Sequence, residues 1–99
     1  MKIYVISDIV VEDNEKYKEY MKLVPETIEK YGGRYLVRGG QIISSLDWTP
    51  EGRIVVLEFP SIEQLEAWQN SEEYKPVKEI RLNASRSKSI VLESGDVPF

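Results

Sequence analysis

Two hydrophobic rhythms alternate along this chain. In some segments apolar residues fall on both parities; in others they recur every three or four positions. Residues 2–11 (KIYVISDIVV) carry Ile3, Val5, Ile9 and Val11 on one parity and Tyr4, Ile6 and Val10 on the other. That is the pattern of a β-strand covered on both faces. From Asn14 to Tyr31 the apolar positions Tyr17, Tyr20, Met21, Val24, Ile28 and Tyr31 mark one face of an amphipathic helix. Asp13 is a good N-cap for it, and Glu15 in its first turn suits the helix dipole. Pro25 removes a backbone donor and should kink the helix near residues 21–24 without ending it, because the stripe continues in phase. Gly32-Gly33 closes the helix, one glycine taking the left-handed conformation.

A second strand opens at Arg34–Val37. Gly39-Gly40 is expected to interrupt it as a bulge or bend before Gln41-Ile42-Ile43 resumes it. Residues 47–52 (DWTPEG) have turn composition, and 53–59 (RIVVLEF) are the strongest strand signal, stopped by Pro60. Ser61 and Gln64 form a capping box for a second helix with Ile62, Leu65, Ala67 and Trp68 on its apolar side. Ser71 caps a short further turn carrying Tyr74, Val77 and Ile80, its regularity limited by Pro76. Ser89–Glu93 is the last strand, and the tail 94–99 is expected to be frayed. The order is strand, helix, strand, strand, helix, strand. It predicts a ferredoxin-like α+β fold, βαββαβ, with an antiparallel four-stranded sheet and two main helices on one face.

Two helices cover one face of such a sheet, yet the strands are apolar on both. Ile54 and Val56 alternate with Val55, Leu57 and Phe59. A patch of that kind is more than a monomer usually exposes. Stacking the open face on the same face of a second copy closes it with two-fold symmetry, so a homodimer is expected. The alternative is that loops and tail half-cover one parity.

Composition narrows the chemistry. Ninety-nine residues allow one domain, spanning 1–99. The net charge of −4 comes from interspersed residues, which leaves no basic stripe for nucleic acid or a membrane surface. No apolar run approaches the ~20 residues of a membrane span. The absence of cysteine and histidine removes disulfides, thiolate nucleophiles, serine–histidine dyads, histidine-ligated haem and most zinc sites. No cofactor and no metal are therefore expected. The first residues read as a strand and not as a signal peptide, so a cytoplasmic location is expected, and Asn83-Ala84-Ser85 is a chance glycosylation match.

Three segments, 15–40 (EKYKEYMKLVPETIEKYGGRYLVRGG), 53–68 (RIVVLEFPSIEQLEAW) and 71–85 (SEEYKPVKEIRLNAS), resemble the domain-of-unknown-function family 1330. That family belongs to the dimeric α/β-barrel superfamily. The resemblance runs to about Glu93 and implies a ferredoxin-like protomer in a face-to-face barrel dimer. It implies no reaction, since the superfamily includes cofactor-free monooxygenases, haem-degrading enzymes, lactone isomerases and non-catalytic ligand-sensing domains. The turn before Arg53 departs from the pattern: Leu46 stands where glycine is common, and Gly52 looks like an insertion.

Arg38 and Glu58 are charges in otherwise apolar strands, positions where a side chain can line a polar pocket or form an ion pair. Buried among apolar groups, Glu58 would have a raised pKa and could act as a base. Trp68 follows helical spacing, whereas Trp48 lies in a turn and suits a pocket rim or a dimer contact. Tyr20 and Tyr74 can present hydroxyls to a cleft at the helix–sheet edge, and Arg81 can hold an anion. The glycine pairs are not a phosphate loop, and Asp8, Glu12, Asp13 and Glu15 fit a strand end and a helix cap better than a metal. The candidate ligand-binding set is Arg38, Trp48, Glu58, Trp68, Tyr74 and Arg81, with no catalytic residue assigned. The function expected is binding or transforming a small organic molecule between helices and sheet without metal or haem. A non-catalytic ligand-binding or dimerisation module is the alternative.

Overall fold

The computed structural model describes residues 1–95; the part of the expected tail from residue 96 on lies outside the described residues. The chain runs β1 (Ile3–Val11), α1 (Asn14–Lys30), β2 (Arg34–Arg38), β3 (Arg53–Phe59), α2 (Ile62–Gln69), α3 (Tyr74–Ala84) and β4 (Ser85–Glu93). The strands form one antiparallel sheet in the order β2-β3-β1-β4. This is the ferredoxin-like βαββαβ arrangement expected from the sequence.

Local chemistry explains most element ends. The Asp13 carboxylate accepts from the Lys16 amide at 3.1 Å and starts α1. Gly32, at φ 79°, takes the left-handed position after the Tyr31 C-cap. The Ser61 hydroxyl accepts from the Gln64 amide at 3.2 Å to open α2. Ser71 likewise accepts from the Tyr74 amide at 3.1 Å. The segment that Ser71 caps is not a short turn. It is an 11-residue helix, longer than α2, because Pro76 falls in its first turn, where the missing amide has no intrahelical partner to lose. α3 then passes into β4 with no residue between Ala84 and Ser85.

β4 begins at Ser85 and not at Ser89, since Ser85 to Ser89 pair in register with Val11 to Ser7. β2 differs in the opposite sense. Its bulge lies between Tyr35 and Val37, and the chain leaves the sheet after the Gly39 amide donates to the Ile54 carbonyl at 2.9 Å. Residues 41–43 do not resume the strand: among the described residues no neighbour pairs with them, and Ile43 is 91% exposed.

Register fixes the two faces. Ile3, Val5 and Ile9 of β1 with Leu57 and Phe59 of β3 are buried beneath the helices. They meet Tyr17, Tyr20, Val24 and Ile28 of α1, Leu65 and Trp68 of α2, and Tyr74, Val77 and Ala84 of α3. Ile62 and Ala67, placed by spacing on the apolar side of α2, are exposed. The Trp68 indole N–H donates to the Thr27 hydroxyl at 3.0 Å, which itself donates to the Val24 carbonyl at 2.7 Å, so this buried polar chain is satisfied. On the other face, Val37, Val56, Ile6 and Ile90 are register partners and form an apolar stripe across all four strands.

Candidate functional site

The helices and sheet do not close completely on one another. Between them lies a cavity of about 360 Å³. Its floor comes from one parity of every strand: Val5, Ser7 and Ile9 of β1, Tyr35 and Arg38 of β2, Arg53, Val55 and Leu57 of β3, and Ser87, Ser89 and Val91 of β4. Its roof comes from Tyr17, Tyr20 and Met21 of α1, Trp68 at the end of α2, and Tyr74, Lys78 and Arg81 of α3. Those last three, spaced by four and three residues, make one stripe on α3. The space exists because Ser7, Ser87 and Ser89 stand where the filled part of the sheet carries branched or aromatic side chains. The Ser7 and Ser89 hydroxyls bond each other at 2.8 Å.

Pro25 contributes through a group it leaves without a partner. Helix α1 runs unbroken past it, but the Met21 carbonyl, which Pro25 has no amide to meet, accepts instead from Arg38 Nη2 at 2.5 Å. The same guanidinium lies over the Tyr35 ring, 4.7 Å from its centroid. A proline on one element and an arginine on another thereby fix one corner of the cavity.

The charges around the cavity are of one sign. Arg38, Arg53, Lys78 and Arg81 line it and, among the described residues, no aspartate or glutamate does, although the chain as a whole is acidic. Among the described residues, the ion pairs engage Lys2, Lys18, Lys30, Arg34, Arg86 and Lys88, none of them a cavity residue. Arg81 donates from Nη1 to the Ser87 hydroxyl at 3.2 Å, while its Nε is buried without a hydrogen-bond partner. The Arg81 carbonyl accepts from the Ser85 hydroxyl at 2.8 Å, which holds the last turn of α3.

Tyr17, Tyr20 and Tyr35 are held protonated at neutral pH. Burial pushes the Tyr35 hydroxyl up to about 12, against the opposing pull of Arg38. It raises Tyr20 further, with the nearby Tyr74 adding to the effect. Tyr17 is raised by burial too, and Arg53, Arg81 and Arg38 partly offset it. Tyr17 and Tyr20 of the roof and Tyr35 of the floor are therefore hydroxyl donors, and the Trp68–Tyr74 ring pair lies in the roof with centroids 4.1 Å apart.

Of the six residues proposed from sequence, the structure brings together Arg38, Trp68, Tyr74 and Arg81. Glu58 and Trp48 belong to the opposite face. Glu58 pairs in register with Tyr4 and Arg34 and accepts from Arg34 Nε at 2.9 Å, with Lys2 at 3.5 Å. The Arg34 hydrogen bond lowers its pKa, the reverse of what a general base needs. Trp48, 64% exposed, borders a separate hollow of about 280 Å³ with Ile6, Ile54 and Ile90. The loop carrying it is tied down by Asp8, whose carboxylate accepts from the Glu51 and Gly52 amides at 3.0 and 2.8 Å. Gly52 is needed there because a Cβ would lie 2.0 Å from the Ile9 carbonyl oxygen. Sequence reasoning left Arg53, Lys78 and Tyr35 out of the set. Arg53 shares parity with Leu57 and Phe59, and Lys78 shares a helical stripe with Tyr74 and Arg81, so both were detectable once the covered parity is known.

Among the described residues, no group of three or more His, Cys, Asp or Glu is placed to hold a metal ion. No helix among them is long and apolar enough to cross a membrane.

Comparison with known proteins gives a consistent picture of the fold. The family described as "Domain of unknown function (DUF1330)" matches residues 2–94. The RPA0582 protein of unknown function from Rhodopseudomonas palustris superposes with a TM-score of 0.74 at 17% identity, covering 97% of this chain and 84% of its own. A dimeric ferredoxin-like protein of unknown function from Jannaschia sp. CCS1 gives 0.72 at 13% identity, over 94% of this chain and 99% of its own. SnoaB, a cofactor-independent oxygenase from Streptomyces nogalater, gives 0.67 at 6% identity, over 97% and 95%. At these identities the likeness is one of fold. No curated protein matches the chain.

Proposed function

The chain belongs to the DUF1330 family, and from that premise we propose that it is a homodimer whose protomers each bind a small organic molecule in the helix–sheet cavity without metal or haem. The observation that carries this reading is the cavity itself. Its 360 Å³ lies in the ~300–1,000 Å³ range of small-molecule sites, and its lining mixes aromatic walls with a few converging polar groups. Among the described residues the lining has no His, Cys, Asp or Glu, the usual protein ligands of a bound metal.

The dimer rests on the opposite face. The Val37–Val56–Ile6–Ile90 stripe is flanked by exposed Leu36 and Leu92, and the Trp48 loop reaches only part of it. The related Jannaschia protein is described as dimeric. Light scattering is expected to give about twice the 11.5 kDa protomer mass, and Val56→Asp to halve it. A wild-type monomer at micromolar concentration would remove the dimer.

Non-catalytic binding is favoured by one feature: among the described residues the lining holds no carboxylate and no imidazole, and Tyr17, Tyr20 and Tyr35 are held protonated. The fold shared with a cofactor-independent oxygenase supports the enzymatic reading, in which the lining binds and orients a substrate. Binding is tested with the Trp48→Phe variant, which leaves Trp68 in the cavity wall as the sole indole. Small aromatic compounds are expected to change its fluorescence saturably. A chemically varied set of acids, esters and amines that leaves the signal unchanged would overturn the reading.

A further inference from the structure

Resting on that reading, we infer that the occupant of the cavity is an organic carboxylate, its ring held by the aromatic roof and its acid group by Arg81. Three observations converge on this.

The first is charge. Arg38, Arg53, Lys78 and Arg81 line the cavity while every aspartate and glutamate of the described residues lies outside its lining. Arg38, Arg53 and Lys78 are exposed and Arg81 is half-buried, so solvent screens part of their mutual repulsion, but four cations around one cavity still give it a positive potential that favours an anion. A protein with seventeen acidic and thirteen basic residues has counter-charges to spare, and none is placed here.

The second is the orphaned donor. A buried polar hydrogen without a partner carries a desolvation cost that native structures usually avoid. Arg81 Nε is such a group. On a guanidinium, Nε and Nη2 share the edge that presents two parallel N–H bonds, the geometry matching a carboxylate. Nη1, on the other side, is the atom that donates to Ser87. The hydrogen bond to the protein thus uses the side of Arg81 that leaves the carboxylate-matching edge unspent. Arg81 also sits in the last turn of α3 with its carbonyl held by Ser85, so the fork is anchored at its backbone.

The third is the difference between Arg81 and its neighbours. Arg38 is engaged by the Met21 carbonyl and stacked on Tyr35, and the Arg53 guanidinium is 5.9 Å from the Tyr17 ring centroid. Those two shape the walls and set the field. Trp68 and Tyr74, which line the same cavity as Arg81, supply aromatic surface for a planar ring.

The test uses the full-length protein, naphthoate and its methyl ester, which share a ring system and differ in charge, and inorganic phosphate, which has charge without a ring. Isothermal titration is expected to show naphthoate binding about tenfold or more tighter than the ester, and phosphate much more weakly than naphthoate. Arg81→Met should abolish the preference for acid over ester while ester binding persists, which also reports that the variant is folded. Arg81→Lys, retaining charge without the fork, should keep only part of the preference. Arg86→Met, on the opposite face, should leave it unchanged. Equal binding of acid and ester by the wild type, or an undiminished preference in Arg81→Met, would overturn the carboxylate assignment while leaving the cavity as a binding site. Phosphate binding as tightly as naphthoate would overturn the organic part of it. No binding of naphthoate or ester would remove this inference, and silence of the Trp68 signal toward the wider compound set would remove the binding site as well.

Discussion

Beneath the helices, one part of the sheet is filled and the other is hollow, though the same strands build both. In the filled part Ile3 and Phe59 join Val24, Ile28 and Leu65 in the core, with Phe59, Ile28, Leu65 and Val24 fully buried, while Val5, Leu57 and Trp68 stand at the boundary, buried and also lining the cavity. In the hollow part the strands present Ser7, Ser87 and Ser89 beneath tyrosines and Arg81. Backbone geometry continues across the boundary; side-chain volume does not. A binding site in such a fold needs no special loop. It needs a few strand positions left short, with polar groups that tolerate water where dispersion contacts have been given up.

The largest expected effect lies in the filled part. Phe59→Ala should destabilise the protein by about 3–5 kcal/mol, read from the denaturant midpoint, because the ring stacks against Trp68 and has no room to be replaced. A loss below about 1 kcal/mol would show that the filled part is looser than its burial implies. Ser89→Leu tests the hollow part. It should change stability by less than about 1.5 kcal/mol while abolishing the ligand-induced change in Trp68 fluorescence, since it fills space and does not create it. If it left ligand binding intact, the hollow would not be the site.

The smallest effect concerns the contact that ties α1 to the turn before α3. Glu73 pairs with Lys30 and accepts from the Tyr31 hydroxyl at 2.9 Å. The Lys30 hydrogen bond, above all, lowers its carboxyl from the usual 4.5 to about 2. A depressed folded-state pKa contributes stability above the unfolded value and loses it as the pH falls from about 4.5 toward 2. Thermal melts of Glu73→Gln should therefore match wild type at pH 3 more closely than at pH 7. Curves displaced equally at both pH values would exclude this linkage. The pair is solvent-exposed, so the shift is expected to be small.

Apolar periodicity made the strands 3–11 and 53–59 and the α1 stripe legible in the sequence, because each has a face that must be buried. The same rule failed at residues 85–88 for an instructive reason. Ser85-Arg86-Ser87-Lys88 has no apolar alternation because its inner side forms part of the polar cavity wall and its outer side is solvated. The site itself hid the first half of β4. Glu58 was misplaced by a different ambiguity. Alternation separates two parities but does not say which lies under the helices, and only Val55–Leu57–Phe59 turned out to lie there. Pro76 was read as a limit on α3 because its cost depends on its distance from the helix start, which sequence alone left open by a few residues.

The junction at Ala84–Ser85 carries a consequence for how this protein can change over time. With no spacer, the angular phase of α3 and the in–out alternation of β4 run from one clock. Deleting a single residue between Arg81 and Ser87 would either turn the helix by about 100° relative to a strand that keeps its register or, with the helix held, exchange the inward serines for Arg86 and Lys88. Substitutions can retune the cavity one side chain at a time, but this stretch cannot absorb insertions or deletions. The length of residues 81–89 is then under tighter constraint than their identity, whereas the unpaired loop 40–50 can vary in both.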